Sequence, residues 1–122
     1  MTKKINEDFI KQLNPQANVL FQEYNIAFES KMWASVIILS LTIIDNILND
    51  TDNLDYVDGL DINHFKSSKD FHWLRMRRNQ ILHFENPLEG FFGNKDSEKT
   101  LNIDAARADT TLKRCFYILF RK

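Results

Sequence analysis

Apolar residues recur along most of this chain at three- and four-residue spacing, the signature of amphipathic helices. Ile5, Phe9 and Leu13 predict a short first helix, within an N-terminal extension over 1–14. Asn14-Pro15 supplies a capping side chain followed by proline at a first helical position, so a new helix starts there. Its stripe is Val19/Leu20, Tyr24 and Ala27/Phe28. A break near Glu29-Ser30-Lys31 leads to a helix over about 32–49, apolar nearly all round, whose expected core is Trp33, Val36/Ile37, Ser40/Leu41, Ile44 and Ile47/Leu48. Such a helix belongs at the centre of a bundle. Asp45 is its one charged residue and needs a partner wherever it points inward.

Residues 50–66 read as an acidic, Asn-rich linker. The spacing of its aspartates is not that of an EF-hand loop, and His64 reads as a surface or packing residue. Ser67 or Ser68, with Asp70, caps the next helix, which Pro87 stops at about Glu85. That helix carries one stripe through Phe71, Leu74, Arg78 and Ile81/Leu82. A second stripe, Trp73, Met76, Gln80 and His83, gives it a second contact face. Phe91-Phe92 sit in a loop, and a final helix over about 102–121 has the stripe Ala105, Ala108, Leu112, Cys115/Phe116 and Leu119. The expected architecture is all-α: a single domain over 1–122, an up-and-down four-helix bundle with a short extra N-terminal helix.

Three glycines and two prolines are too few for a chain of many tight β-turns. The single cysteine, Cys115, excludes an internal disulfide and a cysteine-based zinc site and reads as a small core residue. Trp33 to Ile44 is uncharged but too short to span a bilayer, and the N-terminus lacks the apolar core of a signal peptide, so a cytoplasmic protein without membrane contact is expected. The net charge of −1 conceals a polarised layout. Six aspartates and no bases occupy 45–61, whereas 66–83 holds five bases against one acid. A local nucleic-acid surface is one reading of that layout, and mutual pairing of the two segments is the other.

The polar chemistry concentrates in Arg75-Met76-Arg77-Arg78-Asn79-Gln80-Ile81-Leu82-His83. Arg78 falls where the periodicity asks for an apolar residue, so its guanidinium must be paired or face a groove filled by a charged ligand. His83 lies roughly 140° round the helix from it, at about 100° per residue, so the two can border one cleft. Arginine clamps phosphate through paired N–H groups, and histidine moves protons near neutral pH. Together they suffice to cleave RNA with no metal and no cofactor, with Asn79 hydrogen-bonding the phosphate or orienting the histidine. Arg75 and Arg77 are candidate RNA contacts. There is no Gly-rich phosphate loop, no metal-ligand spacing and no Gly-x-Ser-x-Gly elbow, and the linker is too long for a helix-turn-helix.

Arg78-Asn79-Gln80-Ile81-Leu82-His83 resembles the hallmark of the HEPN superfamily, Arg followed four to six residues later by His near the end of the third main helix. The order of an apolar helix bearing an acid (Asp45), a variable linker, a motif helix and a terminal helix is also similar, over most of 15–121. The resemblance implies a homodimer with two motif helices facing one cleft, as in RNases of prokaryotic toxin–antitoxin and antiviral-defence systems. It implies catalytic roles for Arg78 and His83, with Asn79 supporting and Asp45 orienting one or the other. It further implies RNA as substrate and a cognate antitoxin or partner protein. Glu85 stands where one subgroup carries a modified tyrosine, which argues against that regulation here. The alternative is a non-cleaving module of the same fold that binds a partner protein or nucleotide.

Overall fold

A computed structural model describes residues 7–50, 59–82 and 98–120, with side chains from Ile10 onward in the first segment. The described residues form six helices: α1 Glu7–Gln12, α2 Pro15–Glu29, α3 Trp33–Leu48, α4 Gly59–Lys66, α5 Lys69–Leu82 and α6 Glu98–Phe120. No strand occurs among them.

The ends of the helices are set by local chemistry. Asn14 Oδ1 accepts from the Ala17 N–H at 2.8 Å and Pro15 opens α2. The same Asn14 donates from Nδ2 to Asn46 at 2.8 Å and to Asp50 at 3.0 Å, tying the start of α2 to the end of α3. At the other end of α2, the Met32 N–H reaches Ala27 O and the Lys31 N–H reaches Phe28 O. That pair of bonds is the Schellman pattern, and it forces Lys31 into the left-handed region at φ 59. Ser68 Oγ accepts from the Phe71 N–H at 3.2 Å and caps α5.

α3 is the hub, packing against α2, α5 and α6, while α5 also lies on α6. Of the core its periodicity proposes, Val36, Ile37, Ser40, Leu41, Ile44 and Ile47 are buried, Trp33 and Leu48 are partly buried against it, and Ile43 is buried as well because helices lie on more than one side. Phe21 of α2 meets Phe116 of α6 edge to face, ring centres 5.5 Å apart. The expected stripe of the last helix is buried throughout. Cys115 is a core thiol whose pKa burial pushes up, with the nearby Asp45 charge adding to the effect. A polar thread crosses this core: the Tyr24 hydroxyl donates to Asp109 at 2.6 Å, and Lys113 donates to the other oxygen of Asp109 at 2.9 Å.

Residues 59–66, which the sequence reads as the last part of a linker, are helix α4. The physical reason is an apolar anchor. Phe65 is buried with its ring centre 5.1 Å from that of Phe71, and Ile62 packs on the core. Asp61 in the first turn and Lys66 in the last complement the helix dipole. No helix among the described residues is long and apolar enough to cross a membrane.

Candidate functional site

The site grows from the contact between α3 and α5. Asp45 lies in the last turn of α3, at the border of its buried face. Arg75 and Arg78 are three residues apart on α5 and so are neighbours on its surface. Asp45 engages both: Oδ1 accepts from Arg75 Nη2 at 3.2 Å and Oδ2 from Arg78 Nη1 at 3.3 Å. Both contacts are longer than a tight guanidinium–carboxylate bond, so the carboxylate holds the two arginines loosely. The Arg75 guanidinium also lies 5.0 Å from the centre of the Phe71 ring. Arg78 retains 21% of its side-chain exposure. Its Nε is buried and meets no hydrogen-bond acceptor among the described residues. Its Nη2 makes a long contact, 3.5 Å, to Oδ1 of the exposed Asn79.

Arg77 is placed differently. It is 7% exposed, and its Nε donates to Asp104 of α6 at 2.9 Å. Phe71, Leu74 and Arg77 form the buried line of α5, so the interior stripe turns toward Arg77 and leaves Arg78 at its edge. The second expected face is mixed. Met76 is exposed, Gln80 is half-buried, and Trp73 is half-buried beneath the Arg107 guanidinium at 4.2 Å. His83 directly follows Leu82 and lies outside the described residues, as do the expected stop at Glu85, Pro87 and the Phe91-Phe92 loop. Arg78, Asn79, Arg75 and Asp45 are thus brought together, and Arg77 is drawn into the α5–α6 contact.

Beside the cluster is a groove of about 410 Å³, lined by Asp45, Leu48 and Asn49 from α3, Lys66 from α4, and Phe71 and Arg75 from α5. Sequence reasoning missed it, because Lys66 and Asn49 meet only once α4 folds back. It also missed Asp70, which accepts from Arg107 at 3.1 Å and from Arg114 at 3.4 Å. The one available signal was the excess of bases over acids on α5 and α6, which called for a carboxylate between them. Among the described residues no three of His, Cys, Asp and Glu converge as metal ligands would. No family profile, curated protein or solved structure matches this chain.

Proposed function

We propose that the chain is a HEPN-type, metal-independent endoribonuclease domain that acts as a homodimer, with Arg78 and His83 of each copy lining one cleft. The observation that carries the reading is the grip of Asp45 on Arg78. A partly buried carboxylate keeps the arginine at the edge of the core through one 3.3 Å contact, yet occupies only one of its five N–H donors. Of the remaining donors Nε is buried, so it is the Nη groups that would engage a phosphate oxygen as negative charge builds there. Asn79 sits beside it as an additional donor. In this reading His83 takes the proton from the ribose 2′-hydroxyl or delivers one to the departing 5′-oxygen. The 2′-oxygen bonds to phosphorus, the bond from phosphorus to the 5′-oxygen breaks, and the products are a 2′,3′-cyclic phosphate and a 5′-hydroxyl. Met76 is an exposed apolar residue on the helix that would face its twin.

A second reading has its own observation. Arg75 and Arg78 are ion-paired with Asp45, and Arg77 with Asp104, as arginines that only staple a bundle would be. That favours a non-cleaving binding or dimerisation module.

Incubation with RNA in excess EDTA, alongside His83→Ala and Arg78→Ala, separates the two. The nuclease reading requires cleavage with EDTA present, cyclic-phosphate ends, and loss of cleavage in both folded variants. Cleavage that survives either substitution rejects it, and a dimer without cleavage supports the binding module.

A further inference from the structure

The groove beside the Asp45 cluster has a charge balance that its aspartate at first obscures. Both oxygens of Asp45 are engaged by guanidinium groups, one from Arg75 and one from Arg78. Among the described residues, two cations line the groove, Lys66 and Arg75, and a third, Arg78, shares its one carboxylate, Asp45. Lys66 is exposed, lines the groove and makes no ion pair among the described residues. Arg75 gives Asp45 a contact from Nη2 alone, while its guanidinium is set against the buried Phe71 ring. Stacking of this kind holds the fork in place before a ligand arrives, so less freedom is lost on binding. Leu48 supplies an apolar wall. Asn49 uses its Nδ2 on the Asp45 carbonyl at 2.9 Å, which leaves its Oδ1 as an acceptor at the rim.

We propose that this groove is a nucleotide subsite, in which Lys66 and Arg75 bind one phosphate and Leu48 and Asn49 meet the attached nucleoside. Lysine acts as a point charge and arginine as a two-pronged donor, the combination suited to a phosphate held against a hydrophobic wall. The volume lies within the range of pockets that hold small ligands. The ligand chemistry is a phosphate carrying a nucleoside, supplied either by a free mononucleotide or by a residue within a single strand. In the strand case the groove would hold a nucleotide neighbouring the one at Arg78. That arm deepens the nuclease reading and rests on it, whereas the mononucleotide arm does not.

The test measures binding by the full chain of two probes, adenosine monophosphate and a short single-stranded oligodeoxynucleotide, which lacks the 2′-hydroxyl and cannot be cleaved by transesterification. Lys66→Ala is expected to weaken whichever probe binds by about tenfold and to make the dependence of log affinity on log salt shallower by about one. Lys66→Arg should restore both. Lys66 is exposed, so an unchanged thermal midpoint in Lys66→Ala confirms folding. Tight binding of the monophosphate identifies the free nucleotide as ligand, and binding of the strand alone identifies the second source. Failure of the wild type to bind either probe overturns the subsite, as does binding whose affinity and salt slope ignore Lys66. These results are independent of the EDTA assay. A chain that binds through Lys66 but leaves RNA intact keeps the subsite and loses the nuclease, and cleavage through Arg78 and His83 without a Lys66 effect does the reverse.

Discussion

Arg77 donates from Nε to Oδ2 of Asp104 at 2.9 Å, and its side chain is only 8% exposed. Removing the guanidinium takes this charge partner from Asp104, itself only 22% exposed, and opens a gap where the arginine packed. Arg77→Ala should therefore destabilise the fold by about 3 kcal/mol. The double variant Arg77→Met/Asp104→Leu, which removes both charges, should lose much less. Urea unfolding of the two proteins decides this, and a double variant as unstable as the single would show that the ion pair is not the reason.

Lys31 is the one non-glycine residue among the described ones with a positive φ. The Schellman bonds that end α2 demand that backbone, and a β-carbon there is strained. Lys31→Gly should raise stability by about 0.5 kcal/mol or more, since the strain of the left-handed conformation costs roughly 1–2 kcal/mol. The expected shift is a higher thermal midpoint, and a lower one would mean that Lys31 makes a compensating contact.

Two buried groups set the alkaline limit of the fold. Burial raises the Tyr24 phenol well above its ordinary range, and the charge and hydrogen bond of Asp109 raise it further. Burial raises Cys115 likewise, with Asp45 adding to it. In the unfolded chain a thiol ionises near 8.5 and a phenol near 10, whereas in the fold both keep their protons to higher pH. The unfolded state then binds fewer protons, so stability is fully present below about pH 8.5 and falls as pH rises beyond it. Tyr24→Phe should flatten the part of that decline above pH 10. A plot of unfolding free energy against pH that stays level to pH 11 would contradict the burial of both groups. A thiol reagent should likewise modify Cys115 only at the rate of unfolding.

Asn14 does two jobs, capping α2 and tethering it to Asn46 and Asp50. Asn14→Ala loses both and should cost about 1–2 kcal/mol, whereas Asn14→Asp keeps the cap but places a second carboxylate beside Asp50. If the tether contributes, Asn14→Asp should fall between the wild type and Asn14→Ala near neutral pH and approach the wild type at acid pH. Equal stability of Asn14→Asp and wild type at neutral pH would assign the whole effect to the cap.

The chain's own order of residues determined its helices, because helix formation and capping are settled within a turn or two. Asn14-Pro15, the stop at Ser30-Lys31 and Ser68 act on backbone groups next to them. The apolar periodicity of α3 and α6 marks their buried faces without help from any partner. Charge placement could not be settled that way. Arg77 and Arg78 are adjacent in a stretch of equal composition, and 100° of rotation separates a buried strut from a half-exposed candidate for catalysis. What separates them is the position of Asp104, 27 residues on, and of Asp45, 33 residues back. The Tyr24–Asp109 bond joins residues 85 apart, and Lys66 reaches the groove only because Ile62 and Phe65 fold α4 onto the core. Periodicity narrows which way a side chain faces within its own helix, although Val19 of the expected α2 stripe is exposed and Arg77 is buried in place of Arg78. A carboxylate's field reaches a few ångströms through space, and only the packed bundle decides which cations stand inside it.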